Sequence, residues 1–173
     1  MDTRNIVDAM KGMDEERIRM IYKENSLPFA VCVVNLTGGL NTGIIFRTAN
    51  AMGAERIFYF GKKHFDKRSA VGIFNYSTVE YISDFEELKN FKQKYVFVGI
   101  ENNIPDAISE REYTYKRNSL FFMGEEGYGL DKEILDLCDD KIFIPQIGTV
   151  RSLNVSTAAG IIMYGYSRVH GSR

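Results

Sequence analysis

Phe143-Ile144-Pro145-Gln146-Ile147-Gly148-Thr149-Val150-Arg151-Ser152-Leu153-Asn154-Val155-Ser156 is the run whose reading decides the fold. It opens on an apolar β-type end, is cut by Pro145, and crosses a polar turn. It then enters a helix at Ser152 or Asn154, side chains that can both cap one. Two earlier stretches are built alike. Asn41-Thr42-Gly43-Ile44-Ile45-Phe46-Arg47 and Gly124-Glu125-Glu126-Gly127-Tyr128-Gly129-Leu130 each set amides, glycines and charge where an apolar run meets a helix.

Outward from these junctions, residues 29–34, 56–60, 95–100, 119–123 and 141–144 are short apolar runs rich in Val, Ile and Phe, bounded by Gly, Asn or Pro. They read as buried strands. Helical stretches over 42–52, 84–93, 130–137 and 154–168 lie between and after them. The alternation predicts an α/β domain with a mostly parallel sheet flanked by helices. A charged amphipathic helix over 13–25, ahead of Pro28, reads as a packing arm or, second to that, as a small RNA-contacting addition. The chain is therefore divided into a helical arm, 1–28, and a domain, 29–173.

A length of 173 residues fits one such domain, and 45% hydrophobic with 13% aromatic residues is a globular composition. No apolar run approaches the roughly 20 residues that span a bilayer, and the polar start Met1-Asp2-Thr3-Arg4-Asn5 is no signal peptide. A cytoplasmic protein with no membrane contact is expected. Cys32 and Cys138 lie in apolar settings and read as small buried hydrophobes.

Ligands of open α/β sheets sit beyond the carboxyl ends of the strands. Three such ends turn from aliphatic to polar within a residue or two, at 99–101, 123–125 and 144–146. Gly99 and Gly124 are expected to let a flat ring approach the backbone. The glycine loop at 124–129 does not suit a polyphosphate, because Glu125 and Glu126 would repel it. Neither a dinucleotide fingerprint nor a phosphate loop with its lysine occurs. On the helix over 42–52, Ile44, Thr48, Ala51 and Met52 share one face by the 3.6-residue period, and Gly43, Arg47 and Asn50 share another. Arg47 is thus expected at the edge of a buried stripe. Taken singly, Asn41, Ser152 and Asn154 are helix caps, Arg47 a surface cation and Glu126 a turn acid.

Taken as an ordered set, N-x-G-x-x-x-R, then G-x-E-G-x-G-L, then I-P and S-L-N-V-S, these stretches resemble the signature of the SpoU (TrmH-like) class of the SPOUT superfamily. Its members are RNA ribose 2′-O-methyltransferases that use S-adenosyl-L-methionine. The resemblance covers roughly residues 29 to 168. It implies a C-terminal deep trefoil knot with the cofactor bent inside it. On the matching positions, Gly124, Ile144 and Leu153 hold the adenosine part, with Ile100 at the preceding strand end as a fourth. Asn41, Arg47, Glu126, Ser152 and Asn154 match the polar catalytic positions. A guanidinium stays protonated, so Arg47 would orient and acidify the ribose hydroxyl and grip a phosphate rather than act as an ordinary base. Asn41, Ser152 and Asn154 would fix Arg47 and the ribose, and Glu126 would orient Arg47 or Asn41. Glu125 and Gln146 depart from the pattern, where Asn and Met are common, and neither is expected to touch the chemistry.

An RNA substrate, tRNA or rRNA, must be held without help from the net charge, which is −1. Lys62, Lys63, Lys67 and Arg68, with His64 and Phe65 among them, form the basic loop expected to do so. The last helix carries Val155, Ala158, Ala159, Ile161, Ile162, Met163, Tyr164, Tyr166 and Val169 round most of its circumference. One sheet covers one side, so a homodimer is expected, with Ile162 at its interface, and the resemblance implies dimerisation through the knot region. Two other functions fit the fold. One is a non-catalytic RNA-binding or ribosome-assembly protein, which has no need of all five polar positions. The other is a SPOUT base methyltransferase, which would want an acid such as Asp in the stretch 152–156, where none stands.

Overall fold

The computed structural model describes residues 6–36, 39–62, 64–125 and 127–171, with Lys67 by its backbone alone. Seven strands, β1 (Leu27–Val34), β2 (Ala54–Phe60), β3 (Val79–Ile82), β4 (Val96–Ile100), β5 (Ile108–Ser109), β6 (Ser119–Met123) and β7 (Asp140–Phe143), form one sheet in the order β3-β2-β1-β6-β4-β7-β5. Every pairing is parallel. The helices are α1 (Glu15–Asn25), α2 (Gly39–Ala51), α3 (Phe85–Asn90), α4 (Lys132–Leu137) and α5 (Val155–His170).

β1 and β6 read as unbroken apolar runs because both sheet faces are covered. Successive side chains of β1 point to opposite faces. Phe29, Val31 and Val33 enter one core with Ile45, Phe46 and Ala49 of α2 and Ile162, Met163 and Tyr166 of α5. Ala30, Cys32 and Val34 enter the other, with Leu88 of α3 and Ile134 of α4. Tyr166 is fully buried, its ring centroid 4.6 Å from that of Phe29, and its hydroxyl donates to the Pro28 carbonyl at 2.8 Å. Burial pushes the Cys32 thiol pKa up, and that of Cys138 up to about 12, so both cysteines are inert packing groups as expected.

Two strands escaped the sequence reading. β3, Val-Glu-Tyr-Ile, is an edge strand with three of its four residues only half-buried, and β5 has two residues. Neither carries the continuous apolar signal of the centre. β1 begins earlier than the sequence suggests, at Leu27. Its register shifts between Leu27 and Ala30, around Pro28, which has no N–H for the ladder. The expected helix over 84–93 is the shorter α3, followed by a 3₁₀ turn at Phe91–Gln93. α1 is docked on the sheet: Ile18 is buried, Tyr22 donates to the Ala54 carbonyl at 2.6 Å, and Arg19 Nη2 donates to the Asn75 carbonyl at 2.9 Å.

Candidate active site

At the carboxyl ends of β4, β6 and β7 lies a pocket of about 440 Å³, within the range of small-molecule sites. Ile100, Gly124, Ile144 and Leu153, the four residues expected round an adenosine, all line it, and so does Ser152. The sequence reading missed Glu101, Asn102 and Asn103 after β4, Tyr128 in the glycine loop, and Gln146 and Arg151 in the last run. Position alone could have found them, since each is within three residues of one already chosen.

The glycine loop closes as a small hairpin. The Glu125 N–H donates to the Gly129 carbonyl at 3.2 Å, and the Gly129 N–H donates to the Glu125 carbonyl at 2.8 Å. The Glu125 carboxylate then accepts from the Gly127 and Tyr128 amides at 2.7 and 2.9 Å. Across the pocket, the Glu101 carboxylate accepts from the amides of Leu130 and Asn102, both at 2.9 Å. Both acids thus brace backbone. Glu126 lies outside the described residues.

Gly99 and Gly124 are both close approaches of the chain to itself. A Cβ on Gly124 would collide with the Gly129 carbonyl and the Leu130 nitrogen, so its missing side chain lets the hairpin close on itself. A Cβ on Gly99 would press on Cys138 Sγ and Leu135 Cδ2 at 3.2 and 3.3 Å, where α4 packs on the sheet. Both glycines serve the fit of the chain to itself.

The polar positions come together only in part. Asn154 caps α5: its side-chain oxygen accepts from the Ser156 N–H at 2.9 Å and the Ser156 hydroxyl at 2.6 Å. Its Nδ2 donates to Asn41 Oδ1 at 3.2 Å, tying α5 to the first turn of α2. The pocket lining includes Ser152 and Leu153 but not Asn41, Arg47 or Asn154. Arg47 is exposed on α2, and the stripe expected beside it is displaced. The buried residues of α2 are Thr42, Gly43, Ile45, Phe46 and Ala49, while Ile44 is 41% exposed. The helix is wedged among the sheet, α5 and the loop after β2, so burial follows those three contacts.

That loop carries the basic residues. It docks on α2 where glycines allow it: a Cβ on Gly43 would lie 2.9 Å from the Ala70 nitrogen and 3.0 Å from Ser69 Cβ, and one on Gly39 3.0 Å from the Asp66 nitrogen. Phe65 is half-buried and packed among Phe46, Tyr59 and Phe74, with ring centroids 5.1 to 6.1 Å from its own. Lys62 is exposed. The Arg68 guanidinium pairs with Asp66 at 2.6 Å, and its hydrogen bonds hold the Asp66 carboxyl down at about 2, so part of the loop's positive charge is answered within the loop. Lys63 and the Lys67 side chain lie outside the described residues.

Among the described residues no helix is long and apolar enough to cross a membrane. The sequence pattern of the SpoU rRNA Methylase family matches residues 28–164. The tRNA (guanosine(18)-2′-O)-methyltransferase of Aquifex aeolicus is 28% identical over 158 residues, 88% of this chain and 75% of the relative. That of Escherichia coli K12 is 32% identical over 145 residues, 80% of this chain and 62% of the relative. Among solved structures, the A. aeolicus TrmH/SpoU tRNA modifying enzyme superposes with a TM-score of 0.78 at 28% identity, over 89% of this chain and 81% of that one. The SpoU methyltransferase AviRb from Streptomyces viridochromogenes, in complex with AdoMet, does so at 0.74 and 25% identity, over 83% of this chain and 58% of that one. With four-fifths of its length inside the family pattern and a parallel sheet of the same architecture as these neighbours, the chain belongs to the SpoU rRNA Methylase family.

Proposed function

We propose that this protein is an S-adenosyl-L-methionine-dependent RNA ribose 2′-O-methyltransferase acting on tRNA or rRNA. The observation that carries the reading is the hydrogen bond from Asn154 to Asn41, which joins two motifs 113 residues apart beside a pocket walled by Ser152 and Leu153. The pocket suits the cofactor: Ile100, Ile144 and Leu153 offer apolar walls for a purine, and Gly124 lines the same pocket. No basic group of a phosphate loop is needed, because the cofactor carries none. When bound, it supplies a methyl group on a sulfonium, a good leaving group.

The chain's own part is alignment and polarisation of the ribose hydroxyl. Arg47 orients that hydroxyl, favours its ionised form, whose proton passes to solvent as the methyl moves to oxygen and the thioether departs, and holds the neighbouring phosphate, remaining protonated throughout. Asn41, Ser152 and Asn154 fix Arg47 and the ribose, with Glu126 orienting Arg47 or Asn41. Such positioning can account for several powers of ten in rate. Arg47 stands outside the pocket lining, as suits a residue that meets RNA rather than cofactor. Lys62, Lys63, Lys67 and Arg68 form the proposed RNA contact.

The same reading includes the deep trefoil knot, formed by the run from Ile144 onward, the division into an arm (1–28) and a methyltransferase domain (29–173), and a cytoplasmic location. It also includes a homodimer. Ile161, Tyr164 and Val169 leave α5 apolar toward solvent, at 36%, 60% and 53% exposure, beside Leu40 and Ile44 of α2. Ile162, foreseen at that interface, is instead fully buried in the core.

Transfer of labelled methyl groups from S-adenosyl-L-methionine to unmodified tRNA and rRNA tests the function. Arg47→Ala should cut transfer by about 100-fold or more, as loss of a transition-state donor does, with cofactor affinity by calorimetry unchanged. Wild-type protein that binds RNA but transfers nothing to either class would favour the non-catalytic reading.

A further inference from the structure

Gln146 holds a buried side-chain oxygen, Oε1, that has no hydrogen-bond partner among the described residues. Nearly all buried polar atoms are satisfied, so an orphan in a pocket wall needs a physical cause. Gln146 lines the pocket beyond β7, two residues after Ile144. The acids of the same pocket, Glu101 and Glu125, already accept backbone amides of their own loops. Gln146 Oε1 is the buried side-chain acceptor that is left without a partner among the described residues.

The kind of donor follows from the surroundings. Gln146 lines the same pocket as Ile144 and Leu153, whose apolar side chains suit the flat purine rather than the charged amino-acid end. A carboxamide matches the edge of adenine, accepting from the exocyclic amine while donating to the neighbouring ring nitrogen, the pairing that Asn and Gln make with adenine in nucleic acids. The last side-chain torsion of Gln has a broad minimum, so turning the amide toward the pocket costs little. Resting on the reading of this pocket as the cofactor site, we propose that Gln146 Oε1 accepts a hydrogen bond from the exocyclic amine of the cofactor's adenine and so selects adenine over a purine bearing a carbonyl there. The residue expected to be idle is thereby a specificity determinant.

Calorimetry with S-adenosylhomocysteine and S-inosylhomocysteine, which replaces the amine by a carbonyl, tests this on the full chain. Wild type should prefer the adenosyl compound by about tenfold or more, the scale of one well-made hydrogen bond against an unpaired group. Gln146→Met, apolar and of similar volume, should lose about tenfold in affinity for the adenosyl compound, bind the inosyl compound as before, and erase the preference. Its ligand-free thermal midpoint should stay level or rise, because an unsatisfied buried oxygen is removed. Unchanged adenosyl affinity and preference in Gln146→Met would overturn the proposal. So would a lower ligand-free midpoint or failure to fold, which would mean that the amide is structural. Wild type that binds neither compound would instead bring down the cofactor reading itself.

Discussion

Asn154 is both a helix cap and a tether, and two substitutions separate the roles. Asn154→Ala removes the oxygen that accepts from the Ser156 N–H at the start of the sixteen-residue α5, and also the amide that reaches Asn41. Loss of an N-cap costs about 1 kcal/mol. Asn154 is exposed, so the bond to Asn41 adds at most about 0.5 kcal/mol. For a chain of this length about 1.5 kcal/mol lowers the thermal midpoint by roughly 3–6 °C. Asn154→Ser keeps a good cap in a side chain too short to reach Asn41, so the midpoint should fall by no more than about 2 °C. Methyl transfer, however, should drop about tenfold or more in both variants, because both remove the amide proposed to fix Arg47 and the ribose, together with its tie to Asn41. Differential scanning calorimetry and the labelled-methyl assay, run on the same preparations, decide it. If Asn154→Ser loses as many degrees as Asn154→Ala, the cap is not the source of stability. If it keeps wild-type turnover, the bond to Asn41 contributes nothing to catalysis.

Gly124→Ala should lower the thermal midpoint in the absence of any cofactor, because its Cβ meets the Gly129 carbonyl; an unchanged ligand-free midpoint alongside lost cofactor binding would restore the view that the glycine makes room for a ring. Ile161→Asp should leave the fold intact and yield a species of 19.8 kDa by light scattering where wild type gives twice that, since Ile161 is on the solvent side of α5; equal masses for the two would place the contact elsewhere. Burial raises the pKa of Tyr22 and Tyr166 from 10.0 to about 12, and burial with hydrogen bonds to Glu55, Asp140 and Glu110 raises those of Tyr95, Tyr113 and Tyr115 further. The unfolded chain releases these protons near pH 10 while the folded one keeps them, so the stability they lend is complete below pH 10 and is lost as pH rises through 12. Thermal midpoints by circular dichroism should be level from pH 8 to 9.5 and fall steeply above 10; a flat profile to pH 12 would show that the phenols are not held neutral by the fold.

The sequence by itself determined the central strands, the α/β class and the carboxyl-end location of the pocket. Those features come from local properties: β1, β6 and β4 carry continuous apolar runs because both faces are covered, and Pro145 and the glycines mark where runs stop. The same local signal fails at β3 and β5, which lie at the sheet edges and need little apolar surface. It also fails for α2, whose buried face was set by three neighbours, the sheet, α5 and the loop at Phe65, and not by the helix's own periodicity. The motif residues Ile100, Gly124, Ile144, Ser152 and Leu153 were legible and do surround one pocket. What each does was not. Gly124 and Gly99 turned out to be close approaches of the chain to itself, and Arg68 to be answered by Asp66 two residues away. The pairing of Asn41 with Asn154, the bracing of the glycine loop by Glu101, and the solitary oxygen of Gln146 belong to the tertiary structure alone. A sequence states which polar groups exist, but whether a buried group is satisfied depends on partners tens of residues away, and only the packed chain brings those within reach or leaves one without.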